Sequence, residues 1–168
     1  LTHNERAMTG FTDVLVIDYT EATAAATTQI FSHTLPANVW LGANMIMRVG
    51  RVWANPNGSS ALTAEVGHNG LTIDGSNPGA DPDYYVDNHA IEAATAGAIY
   101  GGNSASSTAG VYNGHFITAT GASASRIDIL ITSAAGNLGD ATNTLCTSGQ
   151  LEVYFTTLRD TDFELRQA

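Results

Sequence analysis

The stretch TTQIFSHTLPANVWLGANMIMRVGRVW, residues 27–53, decides the fold class. It begins as a β-strand, turns at residues 35–38 (LPAN), and continues as an alternating run over residues 39–53. Apolar side chains at every second residue are typical of a half-buried antiparallel sheet. One face of the run would carry Val39, Leu41, Ala43, Met45, Met47 and Val49, and the other Asn44 and Arg48.

The run is too long for one straight strand. Its fifteen residues would span roughly 50 Å, against roughly 17–20 Å for an ordinary strand. We therefore expect a bend or a bulge at Gly42 or Gly50, as at the corner of a sandwich.

Alternation elsewhere predicts further strands, separated by turn signals. The clearest lie at residues 13–19, 62–67, 126–132 and 150–157, with shorter ones at 98–100 and 110–119. Residues 68–86 are predicted to be a long irregular loop, and residues 90–98 have weak helical character. About eight short strands with almost no amphipathic helix indicate an all-β fold, an antiparallel β-sandwich or jelly roll. We divide the chain into an N-terminal arm (1–12), a sandwich (13–157) and a C-terminal arm (158–168).

Composition excludes several classes of partner. The 168 residues suit one domain. The formal net charge is −10, and all six basic residues are arginine. So acidic a chain lacks the electrostatic footprint of a nucleic-acid-binding protein and would be repelled by anionic lipid headgroups. No run of about 18 apolar residues is present, so no membrane association is expected.

Four aspartates are the candidate ligands of a hard cation such as Ca²⁺. They fall in the predicted loop, and a solvated acidic loop is the favoured explanation of all four: Asp74, Asp81, Asp83 and Asp87. The histidines His3, His33, His68, His89 and His115 have no spacing typical of zinc ligands. We therefore expect no cofactor.

Motifs of catalysis are missing from the sequence. No serine lies in a G-x-S-x-G turn, and the single cysteine, Cys146, has no activating neighbour and is expected to be an inert, partly buried thiol. Asp128 and Glu152 lie on outward strand positions, where two acids could flank a sugar; solubility of the sheet is the simpler explanation. The sequence predicts a protein that is not an enzyme.

Aromatic residues allow two interpretations. Trp40, Tyr84 and Tyr85 could be exposed contacts, either as a sugar-stacking platform or as anchors of a subunit interface. Others belong to the core, Trp53 and Tyr112 first. A carbohydrate-binding sandwich on a tail fibre or a cell-surface protein is therefore one functional hypothesis.

Several segments together resemble small virion proteins of tailed bacteriophages, the head-decoration or cement type. The segments are 24–31 (AAATTQIF), 34–39 (TLPANV), 64–67 (AEVG) with the Gly/Asp-rich stretch after it, and 149–154 (GQLEVY). The resemblance covers about residues 20–155 and implies a β-sandwich that binds the outer surface of a capsid, often as a trimer, without chemistry. Its partners would be the major capsid protein and further copies of the chain, and its location the exterior of the virion's capsid.

The two arms are the predicted contacts of such a protein, because arms that order on docking can join neighbouring subunits. The shell contact is assigned to Arg6, Met8 and Phe11, and the bridge to neighbours to Arg159, Phe163, Leu165 and Arg166. A tail or neck component of the virion is the third hypothesis.

Overall fold

A computed structural model describes residues 10–36, 39–42, 45–54, 62–69, 80–92, 94–101, 115–117, 126–134, 136–140 and 142–159. Within these ranges lie a 3₁₀ turn at Tyr19–Glu21 and eleven strands. The strands are β1 (Asp13–Asp18), β2 (Thr28–Thr34), β3 (Val39–Leu41), β4 (Ile46–Ala54), β5 (Leu62–Asn69), β6 (Ala80–Ala90), β7 (Ile99–Gly101), β8 (His115–Ile117), β9 (Arg126–Ser133), β10 (Ser148–Phe155) and β11 (Thr157–Arg159).

Two four-stranded antiparallel sheets form the sandwich, with strand orders β1-β10-β4-β7 and β2-β9-β5-β6. The strands β11-β3-β8 make a small third sheet. If the eight strands of the two main sheets are renumbered 1 to 8 along the chain, the orders become 1-8-3-6 and 2-7-4-5. This is the strand order of a jelly roll, a sandwich of eight strands. The predicted fold class is confirmed.

The core lies between the main sheets and is built from the alternate residues that the sequence pattern predicted. Every inward position of the following set is at most 1% exposed: Met47, Val49, Leu62, Ala64, Val66, Ile127, Ile129, Ile131, Leu151, Val153 and Phe155. Burying one such aliphatic or aromatic side chain contributes about 1.5–3 kcal/mol. The period-2 pattern therefore fixes which face of each strand turns inward.

The stretch of residues 27–53 bends near Gly42 and bulges at Gly50, the two expected positions. The bend lies between β3 and β4, which belong to different sheets, and the Gly42 N–H donates to the Thr156 carbonyl oxygen at 2.8 Å. The bulge lies at Gly50, because Arg51 pairs with Gln150 and Val49 with Leu151, which skips the glycine.

Two local predictions were wrong. The region 68–86 is not one irregular loop, because β5 continues to Asn69 and β6 begins at Ala80. Pro82 is accommodated since β6 is an edge strand whose pairing with β5 shifts register twice. No helix occurs among the described residues of 90–98. In the described part of the chain, no helix is long and apolar enough to cross a membrane.

Candidate interaction surface

The roots of both predicted arms are fastened together at one end of the sandwich. The Thr12 N–H donates to the Phe155 carbonyl at 3.1 Å, and the Thr157 N–H donates to Thr12 Oγ1 at 2.7 Å. Thr156 Oγ1 donates to the Gly10 carbonyl at 3.0 Å. We call Gly10, Thr12, Asp13, Thr156 and Thr157 the arm junction. It brings together residues about 145 positions apart in the sequence.

A carboxylate organises the junction. One Asp13 oxygen accepts hydrogen bonds from Thr12 Oγ1 at 2.6 Å and from Thr157 Oγ1 at 2.5 Å. Hydrogen bonds to an ionised acceptor are roughly twice as strong as neutral ones. Asp13 therefore ties the start of β1 to the start of β11.

The junction also accounts for Phe11. Its ring lies 6.0 Å from that of Tyr154, tilted by 51°, and the side chain is half-buried. Phe11 thus anchors the root of the N-terminal arm to β10, and its predicted contact with a shell stays a prediction. Arg6 and Met8 lie outside the described residues.

An apolar pair adjoins the junction on the small sheet. Leu158 on β11 pairs with Trp40 on β3, and each is 37% exposed, whereas Val39 and Leu41 are buried. Trp40 and Leu158 therefore present an apolar patch, which we call the Trp40–Leu158 patch. The predicted exposure of Trp40 is confirmed. The backbone of Arg159 pairs with Val39, and Phe163, Leu165 and Arg166 lie outside the described residues.

The aspartates proposed for Ca²⁺ lie on a strand rather than in a loop. Asp81, Asp83 and Asp87 belong to β6, and Asp74 lies outside the described residues. Glu65 on the neighbouring strand β5 has its pKa raised by burial, and further by repulsion from these three aspartates. The pKa of Asp83 is raised by its hydrogen bond with Asp81, by burial and by the neighbouring charges. Within the described ranges, no three or more His, Cys, Asp or Glu side chains are grouped so that they could hold a metal ion.

The aromatic residues proposed to stack on a sugar do not form one exposed surface. Tyr85 is 2% exposed, so its ring belongs to the core, and burial raises the pKa of its hydroxyl. The half-buried Tyr84 contacts the Tyr85 ring edge-on at 4.9 Å and that of His68 at 4.8 Å. Trp40 is in a different sheet. Of the two predicted core aromatics, Trp53 is fully buried and Tyr112 lies outside the described residues.

The two acids considered for glycoside hydrolysis lie on different sheets. Asp128 alternates with buried isoleucines of β9, and Glu152 alternates with buried residues of β10, so they face away from the core on opposite sides of the sandwich. Glu152 accepts hydrogen bonds from the Tyr154 hydroxyl and from Arg48 Nη1, the latter at 2.7 Å. The pair therefore does not flank a common substrate.

Two further histidines and the cysteine make contacts within the described part of the fold. His33 contacts the ring of Phe155 at 5.9 Å, and His89 stacks on Tyr100 at 4.2 Å. Cys146 is buried, as expected, and burial raises the pKa of its thiol, which makes it a poor nucleophile.

Sequence reasoning missed the arm junction and Leu158. No local pattern could have shown them, because hydrogen bonds between the two ends of the chain follow only from the fold. Comparison with protein-family models, with curated proteins and with solved structures finds no match for this chain.

Proposed function

We propose that this chain is a non-enzymatic structural protein of a tailed-bacteriophage virion, which binds the outer surface of the capsid as a homo-oligomer. The resemblance to head-decoration proteins suggests a trimer and the major capsid protein as the partner. The jelly roll is compatible with this role, since the fold recurs in viral capsid proteins, although it also recurs in lectins.

The arm junction is the observation that carries the proposal. Its hydrogen bonds hold Gly10 next to Thr156 and Thr12 next to Thr157, beside the Trp40–Leu158 patch. One end of the sandwich therefore combines the junction of the two predicted arms with an exposed apolar pair.

Such an end suits a repetitive shell. An oligomer engages the lattice through several arms at once, and linked contacts raise the overall affinity by ~10²–10⁴ over a single one. Each contact can then be weak. The net charge of −10 would also favour a basic docking surface.

The carbohydrate-binding alternative has less support, because Tyr85 is buried and Trp40 lies in another sheet. A tail or neck component would use the same arms and patch as a decoration protein.

Deletion of residues 1–9 tests the proposal. The cut leaves Gly10 and Phe11 in place, so the junction and the fold should persist. We expect the shortened chain to melt like the full chain but to lose cosedimentation with empty capsid shells of the parent phage. The matched control deletes residues 160–168 and should weaken cooperativity between bound copies more than binding itself. Undiminished binding by both shortened chains would contradict the proposal.

A further inference from the structure

Edge strands are where a sheet can pair with another chain, and proteins protect them with charges, proline, bulges or short length. The two main sheets have the edges β1, β7, β2 and β6. β7 has three residues, β6 contains Pro82 and two register shifts, and β1 has an aspartate at each end, Asp13 and Asp18.

β2 has none of these protections. Its seven residues, TQIFSHT, include no Asp, Glu, Lys, Arg or Pro. Its register with β9 is regular over all seven pairs. Among the described edges of the main sheets, β2 is therefore the flat, neutral one.

The backbone groups at this edge follow from the ladder. The Ser133 N–H donates to the Thr27 carbonyl at 2.7 Å, so residues 27 and 133 form a hydrogen-bonded pair. Hydrogen-bonded and non-hydrogen-bonded pairs alternate along an antiparallel ladder. Ile30 and Ser32 therefore direct both their N–H and C=O groups away from β9.

A partly apolar groove lies beside the same edge, between β1 and β2, and has a volume of about 220 Å³. Its lining combines five apolar residues with three polar ones: Leu15, Val16, Ile17, Phe31 and Ile129, and Glu21, Ser32 and His33. Ile30 on β2 is 58% exposed, and Val16 on β1 is 52% exposed. The neutral edge thus borders apolar surface that the chain itself leaves uncovered in the described ranges.

We propose that β2 pairs with β2 of a second copy of this chain, antiparallel and centred on Phe31. Ile30 then lies opposite Ser32 of the partner copy, so the outward backbone groups of the two strands meet. Thr28 lies opposite Thr34, and Gln29 opposite His33. The two Phe31 rings lie side by side at the mouth of the groove, and two four-stranded sheets become one of eight strands.

Charge selects a second copy as the occupant. No residue of β2 is Asp, Glu, Lys or Arg, so the proposed pair brings no such charge against another, whereas the edge strand β1 carries Asp13 and Asp18. The C-terminal segment 160–168 is a poorer occupant, because it would lay three acids within nine residues along the edge beside Glu21, whereas β2 of a second copy brings none.

The contact is two-fold, so it joins two copies or two oligomers. It does not rest on the proposed function, since it forms between free molecules. One strand pair buries less than the roughly 1,200–2,000 Å² of a stable interface. Association should therefore depend on concentration in solution and be strengthened where many copies are held close together.

Sedimentation equilibrium of the full chain over a concentration series tests this contact. The measured mass should rise with concentration to twice the mass of the species present at low concentration. Ile30→Lys should raise the dissociation constant for this pairing of two copies about tenfold or more. A lysine on an edge strand disfavours pairing, and the lysines of the two copies would lie diagonally opposite each other, about 7–8 Å apart. The added lysine lowers the net negative charge, so a loss of association would be local in origin.

Two further variants keep the test decisive. Ile99→Lys puts the same charge at an equally exposed site on β7, at the other edge of the β1 sheet, and should leave the doubling unchanged. Ser32→Pro removes one outward N–H without removing a hydrogen bond to β9, and should suppress doubling even if Ile30→Lys folds poorly. A constant mass across the series would overturn the inference. So would doubling that survives both β2 variants, or doubling that is lost only when residues 160–168 are deleted.

Discussion

Gly149 shows how tightly single residues constrain this fold. It has φ of +150°, and a Cβ added there would lie 2.4 Å from the Trp53 ring. Trp53 is fully buried between the sheets and has no room to withdraw. The glycine therefore allows the largest core side chain to pack directly on the β10 backbone.

Gly149→Ala should lower the free energy of unfolding by about 2–4 kcal/mol, from ring overlap added to the backbone conformation. Gly136→Ala is the matched control, because Gly136 has φ of +85° and open space around it. It should cost only about 1–2 kcal/mol. Urea unfolding measures both, and equal losses would mean that the overlap with Trp53 is relieved.

Glu65 gives the fold a pH dependence of known sign. Burial and the β6 aspartates raise its pKa above the ordinary 4.5. The contribution of the Glu65 carboxyl to stability is therefore fully present below pH 4.5 and is lost as pH rises through the raised pKa. Glu65→Gln should therefore raise the melting temperature at pH 7 and make stability fall less steeply above pH 4.5. The gain in the free energy of unfolding should be below about 1 kcal/mol.

Asp140 supplies a control of opposite sign. Hydrogen bonds from Asn143 and Thr142 lower its pKa to about 2 from 3.8, so its stabilisation is present above pH 3.8 and is lost as pH falls through 2. Asp140→Asn should lower the melting temperature at pH 7 and have little effect below pH 2. If both variants shift melting in the same direction at pH 7, the assignment of these pKa changes is wrong.

At the scale of elements, the small sheet β11-β3-β8 places the Trp40–Leu158 patch beside the arm junction. Trp40→Ala should weaken capsid binding by about 2 kcal/mol, roughly 30-fold, because exposed tryptophans are frequent hot spots. Ile99→Ala is the control, since Ile99 is 61% exposed but lies on β7 in a main sheet. Titration of empty capsids compares the two; an equal loss for both would remove the patch from the interface.

Strands with strict alternation could be predicted from the sequence. The inward faces of β5, β9 and β10 follow directly from their period of two, and Gly42 and Gly50 marked the bend and the bulge. β6 could not be predicted, because its Asp81-Pro82-Asp83 start reads as a turn, and only the register shifts against β5 make it a strand. No local sequence pattern predicts that residues 39–53 are divided between two sheets.

The candidate site was predictable in part. Trp40 was expected to be exposed and is, whereas Tyr85 was expected on the surface and lies in the core. A tyrosine next to another tyrosine on an edge strand gives no local sign of which ring turns inward. The register shift at Val66 decides this, and it depends on pairing rather than on composition.

At the scale of the whole molecule, two surfaces of the sandwich differ in what they offer. The surface at the arm junction carries the Trp40–Leu158 patch. The β1–β2 side offers a strand edge without charged residues and a partly apolar groove. A protein that contacts a shell through one surface and its own copies through another would be arranged in this way.

Cryo-electron microscopy of empty capsid shells incubated with the full chain tests the central proposal most directly. We predict density for the sandwich on the outer surface of the shell, repeated over the lattice, with the arm junction and the Trp40–Leu158 patch facing the capsid. Shells that stay bare, or density confined to a tail or neck attachment site, would contradict the account.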